Sequence, residues 1–257
     1  MGRSTRRSTR QSTRAGLLVI AVFAFAASGT VLSTLSAQRG AAPPTTPPAP
    51  AAPAAAAPPE TMPALLFKEV WQQPAAGVPT SPRRSQNTYY PASQNAVTNP
   101  NLEVRLYGAD AKNLTVYLHE GRYDLWTGLV GSPVAVLLKD RRNFVDLTGL
   151  ARVRAVLRTG NLHSVHPVLR LADGSLVAGD RAINTDGQFL QVEVSFGNQR
   201  WYAVEADTLA VKAQAMKVDL ARVDEVGFVD LAPAGGHGSS GWANISSIEV
   251  YAKPVRR

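Results

Sequence analysis

Residues 65–257 predict an all-β fold, a two-sheet β-sandwich of which the jelly roll is the common form at this size. Three observations carry the prediction. Apolar and polar residues alternate with period two in run after run, Asp-Gly turns fall between such runs, and helical periodicity is nearly absent.

Strict alternation marks residues 102–107 (apart from the aromatic at its end), 114–119 and 190–196. In residues 152–158, Arg152, Arg154 and Arg158 share one face with Val156, an array that suits either an acidic glycan or cross-strand acid partners. Residues 134–138 and 226–231 are apolar on both faces and suit central strands of two stacked sheets. Trp201 and Tyr202 head a strand, so one of them faces the core. Asp173-Gly174 and Asp186-Gly187 are the best short-range hairpin signals. A helical pattern is read only over residues 207–216, and it is short.

The chain has 257 residues, 45% of them hydrophobic, which is enough to build a core and excludes wholesale disorder. It has no Cys, which excludes disulfides, thiolate metal sites and a catalytic thiol. The net charge of +8 resembles a nucleic-acid signal until it is localised. Residues 1–64 hold six Arg and one acid, Glu60; residues 65–257 hold the other 21 bases and 18 acids, a net of +3. Nucleic acid is therefore not an expected partner.

Three regions follow. Residues 1–37 carry an Arg-rich start and then an uncharged apolar run, the pattern of a signal peptide or an N-terminal membrane anchor. A small-residue end at Ser36-Ala37 suits signal peptidase, and the length of the run suits a membrane span. Both place the rest of the chain on the extracytoplasmic side, periplasmic, secreted or anchored, with the membrane touched only through this segment. Residues 38–64 are a Pro/Ala-rich linker; nine of the chain's 18 prolines lie in 40–64. Residues 65–257 are the sandwich.

Asn143-Phe144-Val145-Asp146-Leu147-Thr148-Gly149-Leu150, running into the arginine strand, resembles the "strand, Asp-Leu-Ser/Thr, small turn, strand" pattern of galactose-binding-like jelly rolls. The later run of Arg200-Trp201-Tyr202, then Val223-Asp224-Glu225-Val226-Gly227-Phe228, then residues 245–251, is similar to the closing strands of carbohydrate-binding modules. The resemblance covers residues 140–251 and rests on core-forming motifs, so it implies fold more than activity. The whole chain also resembles secreted bacterial proteins grouped with laminarinase-type glycoside hydrolases. Their Glu-x-Asp-x-x-Glu signature is met here only by Glu205-Ala206-Asp207, with Ala210 in the last position. Modules of this type often hold a structural calcium ion, but no clustered acid loop places one; no cofactor is expected.

Other chemistry fails on spacing. Gly238-Ser239-Ser240-Gly241 falls one residue short of a serine hydrolase elbow. His119-Glu120 begins a zinc-protease motif, but Tyr123 stands where the second His belongs. The Gly-x-Gly-x-x-Gly match at residues 236–241 runs into Trp242 and a strand, with no helix N-terminus for a pyrophosphate. His163 and His166 are the only close His pair and the weak metal candidates. Three apart on a strand they point to opposite faces, so they serve one metal only from a loop.

Saccharide recognition needs flat aromatic faces for C–H surfaces and planar polar groups for hydroxyls. The expected binding residues are Trp126, Trp242, His237 in the adjoining glycine loop, Asp230 and Asp180. Each Trp also suits core or sheet-edge packing. Asp230 interrupts an apolar run and is expected to be buried and partnered; Asp186 suits a turn, and Asp224-Glu225 the start of a strand. The sequence thus predicts an exported non-catalytic sandwich that binds a carbohydrate or cell-envelope polymer. The alternatives are a secreted glycoside hydrolase with acids drawn from Asp180, Asp224 and Asp230, or a structural domain without small-molecule ligand.

Overall fold

The computed structural model describes residues 60–75, 81–82, 88–127, 130–160, 163–231 and 242–257. The predicted signal or anchor segment, nearly all of the linker, and His237 with its glycine loop lie outside them. Among the described residues the chain forms two antiparallel sheets and two single 3-10 turns, with no α-helix. No helix there is long and apolar enough to cross a membrane.

The first sheet runs in the order β12 (Leu190–Ser195), β9 (Arg152–Gly160), β16 (Trp242–Tyr251), β6 (Arg122–Trp126), β5 (Thr115–His119), β3 (Thr88–Pro91) and β2 (Ser81–Pro82). β1 (Leu65–Val70) pairs with the far half of β16. The second sheet runs β14 (Val211–Met216), β13 (Trp201–Val204), β11 (Leu176–Gly179), β10 (Val165–Leu171), β15 (Val223–Asp230), β7 (Val134–Asp140) and β4 (Leu102–Tyr107). β8 (Asn143–Asp146) pairs with β15, and β17 (Lys253–Arg256) pairs with β8. The chain passes repeatedly from one sheet to the other, as expected of a jelly-roll sandwich.

Period two sorts the residues between faces. On β9, Val153, Ala155 and Leu157 are buried between the sheets, while Arg154, Val156 and Arg158 face outward. Ile245, Ile248, Val116 and Leu125 of the first sheet meet Val136, Leu138, Val226 and Phe228 of the second in one continuous core. A one-residue slip in the first sheet would carry Ile245, Ile248, Val116 and Leu125 to its outer face, at about 1.5–3 kcal/mol each.

The two-faced apolar runs are explained by a second cluster. Ala135, Leu137 and Val229 pack with Val168, Leu176, Ala178, Val204 and Leu209 on the other side of the second sheet. The middle of that sheet is therefore apolar on both faces, with Tyr107, Arg170 and Glu225 joined by hydrogen bonds beside the second cluster.

Asp173-Gly174 joins β10 to β11 as a hairpin, with Gly174 at φ 88°. Asp186-Gly187 also turns, at φ 48° and 81°, but it does not close a hairpin. It carries the chain from the second sheet to the first, because Ile183 bridges Val165 before β12 joins β9. Reciprocal backbone-to-hydroxyl bonds between Thr159 and Thr185, 2.8 and 3.0 Å, pin this turn to the end of β9 and bring Phe189 beside Arg158.

The helix expected over 207–216 is a correction. The Leu209 N–H donates to the Glu205 carbonyl for a single turn, and the left-handed Leu209 (φ 55°) then ends it. Leu209 buries into the second cluster, and the chain continues as the edge strand β14. Asp224 and Glu225 stand at the start of β15, directly after its first residue, Val223.

Candidate functional site

The outer face of the first sheet is set by register. Arg158 stands opposite Asn244, Asn244 opposite Trp126, and Trp126 opposite Thr115. Tyr117 lies opposite both Asp124 and Tyr89. Antiparallel partners share a face, so these side chains converge.

They line an open depression of about 240 Å³ formed by Tyr89, Tyr117, His119, Trp126, Arg158, Trp242 and Asn244. Tyr89 stacks on Tyr117 at 5.1 Å and leans on Trp126 at 5.1 Å; Tyr117 meets Trp126 at 5.9 Å. Trp126 and Trp242 are half-buried and reach the depression from different strands. Trp242 stands opposite Gly160, where a Cβ would press into its indole, so the glycine lets the ring lie flat against β9.

The Tyr117 hydroxyl is the polar hub. It accepts from Asn244 Nδ2 at 2.9 Å and from Arg158 Nη2 at 3.2 Å, while Arg158 Nε donates to Asn244 Oδ1 at 3.4 Å. Burial pushes the Tyr117 phenol up, with Arg158 opposing it. The Arg158 guanidinium lies over the rings of Phe189, at 4.6 Å, and Trp242, at 4.8 Å.

Beside this hub, fully buried Asp124 sits 3.5 Å from His119 Nδ1 and 3.4 Å from Arg122 Nε. Burial raises its carboxyl above the ordinary range, against hydrogen bonding from Ser246 and the charge of Arg122. Further along the same strands, Val156, Ser246, Ser247 and Arg122 help line a second depression of about 440 Å³, with Trp71 and Tyr123 beside them. The two hollows lie in line along β9, β16 and β6.

The structure thus brings Trp126 and Trp242 together and places Asp230 and Asp180 elsewhere. Asp230 is 3% exposed at the end of β15, inside the sandwich, where the Thr127 hydroxyl donates to it at 3.2 Å and His163 Nδ1 lies at 3.3 Å. It is buried and partnered, as its place in an apolar run implied. Asp180 follows β11 and closes on the Arg200 side chain at 2.9 Å and its backbone N–H at 3.1 Å, which holds the carboxyl low.

His163 and His166 diverge, because His166 Nδ1 pairs with the Gly179 carbonyl at 3.0 Å. Among the described residues no three His, Asp or Glu converge as a bound cation requires, so no residue is assigned to calcium or another metal. The three acids considered for hydrolysis have separate partners: Asp224 is held by Lys139 and Arg257, Asp180 by Arg200, and Asp230 by Thr127 and His163.

Sequence reasoning missed Tyr89, Tyr117, Asn244 and Phe189. The signal for Tyr117 was present, since Thr115, Tyr117 and His119 occupy the polar phase of an alternating run. Nothing local marks Tyr89 or Phe189, which reach the site through pairing across distant strands.

No protein-family model matches the sequence, and no curated protein matches it. Among solved structures, an exo-beta-agarase aligns with a TM-score of 0.36 at 12% identity, over 63% of this chain and 24% of its own. An agarase aligns at 0.32 and 12% identity, over 65% and 25%. A family 11 carbohydrate-binding module from Clostridium thermocellum, in complex with a beta-1,3-1,4-mixed-linked tetrasaccharide, aligns at 0.35 and 10% identity, over 74% of this chain and 98% of the module. The chain therefore spans about a quarter of the length of the agarase structures and nearly all of the module.

Proposed function

We propose that this chain is an exported, non-catalytic sandwich that binds a carbohydrate or cell-envelope polymer on the outer face of its first sheet. The observation that carries the reading is the convergence of Tyr89, Tyr117, Trp126 and Trp242 with Asn244 and Arg158 around one open hollow. Aromatic faces take the C–H side of a pyranose ring, while the half-buried Arg158 guanidinium, set in place by the buried Asn244 amide and the Tyr117 hydroxyl, is a planar hydrogen-bonding group for hydroxyls.

The hub bonds fix those polar groups in advance, which lowers the ordering cost of binding. The in-line second hollow suits a polymer rather than a single sugar. Asp180, Asp224 and Asp230 each serve a different structural partner, which supports binding rather than cleavage. The Arg-rich apolar start of the sequence supports export.

The test is a polysaccharide pull-down and reducing-sugar assay with the full chain, beside Trp126→Ala and Trp242→Ala. Retention that both variants lose, with no sugar released, is the expected result. Sugar release, or retention that both variants keep, overturns the proposal.

A further inference from the structure

Four arginines, Arg122, Arg152, Arg154 and Arg158, stand on the outer face of the first sheet, and three of them meet acids. Arg152 and Arg154 share Glu193 at 3.1 and 3.0 Å, and Arg122 faces Asp124 at 3.4 Å. Arg158 differs. All nineteen Asp and Glu of the chain lie among the described residues, and none is within ion-pair distance of its guanidinium. Its partners there are neutral: the Tyr117 hydroxyl, the Asn244 amide oxygen and the rings of Phe189 and Trp242.

A half-buried cation without a counter-charge is unfavourable unless something outside the chain supplies one. The two hydrogen bonds use Nε and one Nη2 proton of the five guanidinium donors. The rings hold the planar group in one orientation, and Arg122 and His119 gather instead around the buried Asp124. A guanidinium held this way matches the bidentate geometry of a carboxylate or sulfate.

We infer that the hollow takes an anionic saccharide, whose carboxylate or sulfate ester meets Arg158 while the sugar ring lies against Trp126 and Trp242. This rests on the saccharide reading above and names its substrate class. The shared chemistry is an anionic group on a pyranose; a uronic acid and a sulfated sugar are its two sources.

The test measures affinity of the full chain for polygalacturonate and carrageenan, both anionic, and for mixed-linked β-glucan and galactomannan, both neutral, at one salt concentration. Arg158→Gln, Arg158→Lys and Trp126→Ala are compared with the unsubstituted chain, and thermal unfolding checks that each variant folds. The arginines of residues 1–64 are present in every sample, so differences between variants report the site alone.

The expected result is at least tenfold tighter binding of an anionic polymer, lost in Arg158→Gln, partly kept in Arg158→Lys, and absent in Trp126→Ala. The preferred anionic polymer identifies carboxylate or sulfate. Equal or tighter binding of neutral polymers, or anionic binding that Arg158→Gln keeps and Trp126→Ala loses, overturns the inference and leaves the saccharide reading standing. Binding that no substitution changes, or no binding at all, overturns both.

Discussion

Gly160→Ala is the sharpest probe of how the site is built. A Cβ at this position would sit inside van der Waals contact of the Trp242 indole at Cζ2 and Cε2, and 2.9 Å from Nε1. Either β9 and β16 separate or the indole swings away, and overpacking of this kind costs about 1–3 kcal/mol. If the ring leaves, Arg158 loses one of its two stacking partners, a contact worth about 0.5–2 kcal/mol. Loss of the Trp242 surface at about 1–2 kcal/mol corresponds to roughly 5- to 30-fold weaker saccharide binding. Calorimetric titration with the retained polysaccharide, beside a thermal melt, reads both effects. Gly197→Ala, where nothing lies within 4 Å of the new methyl, is the control and leaves both unchanged. In a Trp242→Ala background Gly160→Ala adds little, because the group it displaces is gone. Unaltered affinity in a destabilised Gly160→Ala protein would refute the placement of Trp242 in the site.

Other expectations follow from the same geometry. Asn244→Ala removes a fully buried amide that both donates to Tyr117 and accepts from Arg158, so affinity falls about tenfold with a loss of about 1–3 kcal/mol in stability, measured by titration and denaturant melt. Asp230→Ala takes away the buried acceptor beside His163 Nδ1 and one partner of the Thr127 hydroxyl, which keeps its bonds to the Ala243 backbone, and costs about 1–3 kcal/mol in a denaturant melt, with saccharide affinity unchanged. Asp224 gives a pH signature: burial raises its carboxyl, but Lys139 and Arg257 outweigh burial and hold it below the ordinary 3.8. The stability it contributes is present above 3.8 and lost as pH falls through its lower folded value. Asp224→Asn therefore costs about 1 kcal/mol at pH 7, and in paired melts the cost shrinks as pH is taken down below 3.8.

Period two and the Asp-Gly turns made the sandwich legible, because one-faced and two-faced strands leave different patterns. Arg152–Arg158 announced an outward face with acid partners, and Glu193 supplies them to Arg152 and Arg154. The region after Asp207 misled because Leu209, Val211 and Met216 share an apolar spacing that a buried turn and an edge strand also satisfy. The site was half legible. Trp126 and Trp242 stand out as aromatics next to glycine-bearing loops, but Tyr89 joins them only through pairing of β3 with β5. Phe189 joins only because the Thr159–Thr185 bonds pin a crossover turn. Such contacts are long-range in sequence, so no local pattern encodes them. Asp180 was a candidate by residue type alone, and its partner Arg200 is brought near by the pairing of β11 with β13.

The central claim is that the ligand lies on the Trp126–Trp242 face. The chain has four Trp, and the other two are set apart: Trp201 is 3% exposed and stacked on Phe196, and Trp71 borders the second hollow. Four indole N–H resonances, assigned by single substitutions, can be followed during titration with an oligosaccharide of the retained polymer. The account predicts that those of Trp126 and Trp242 shift together and saturate at one concentration while Trp201 stays in place. Saturating binding that leaves both Trp126 and Trp242 unmoved would contradict it.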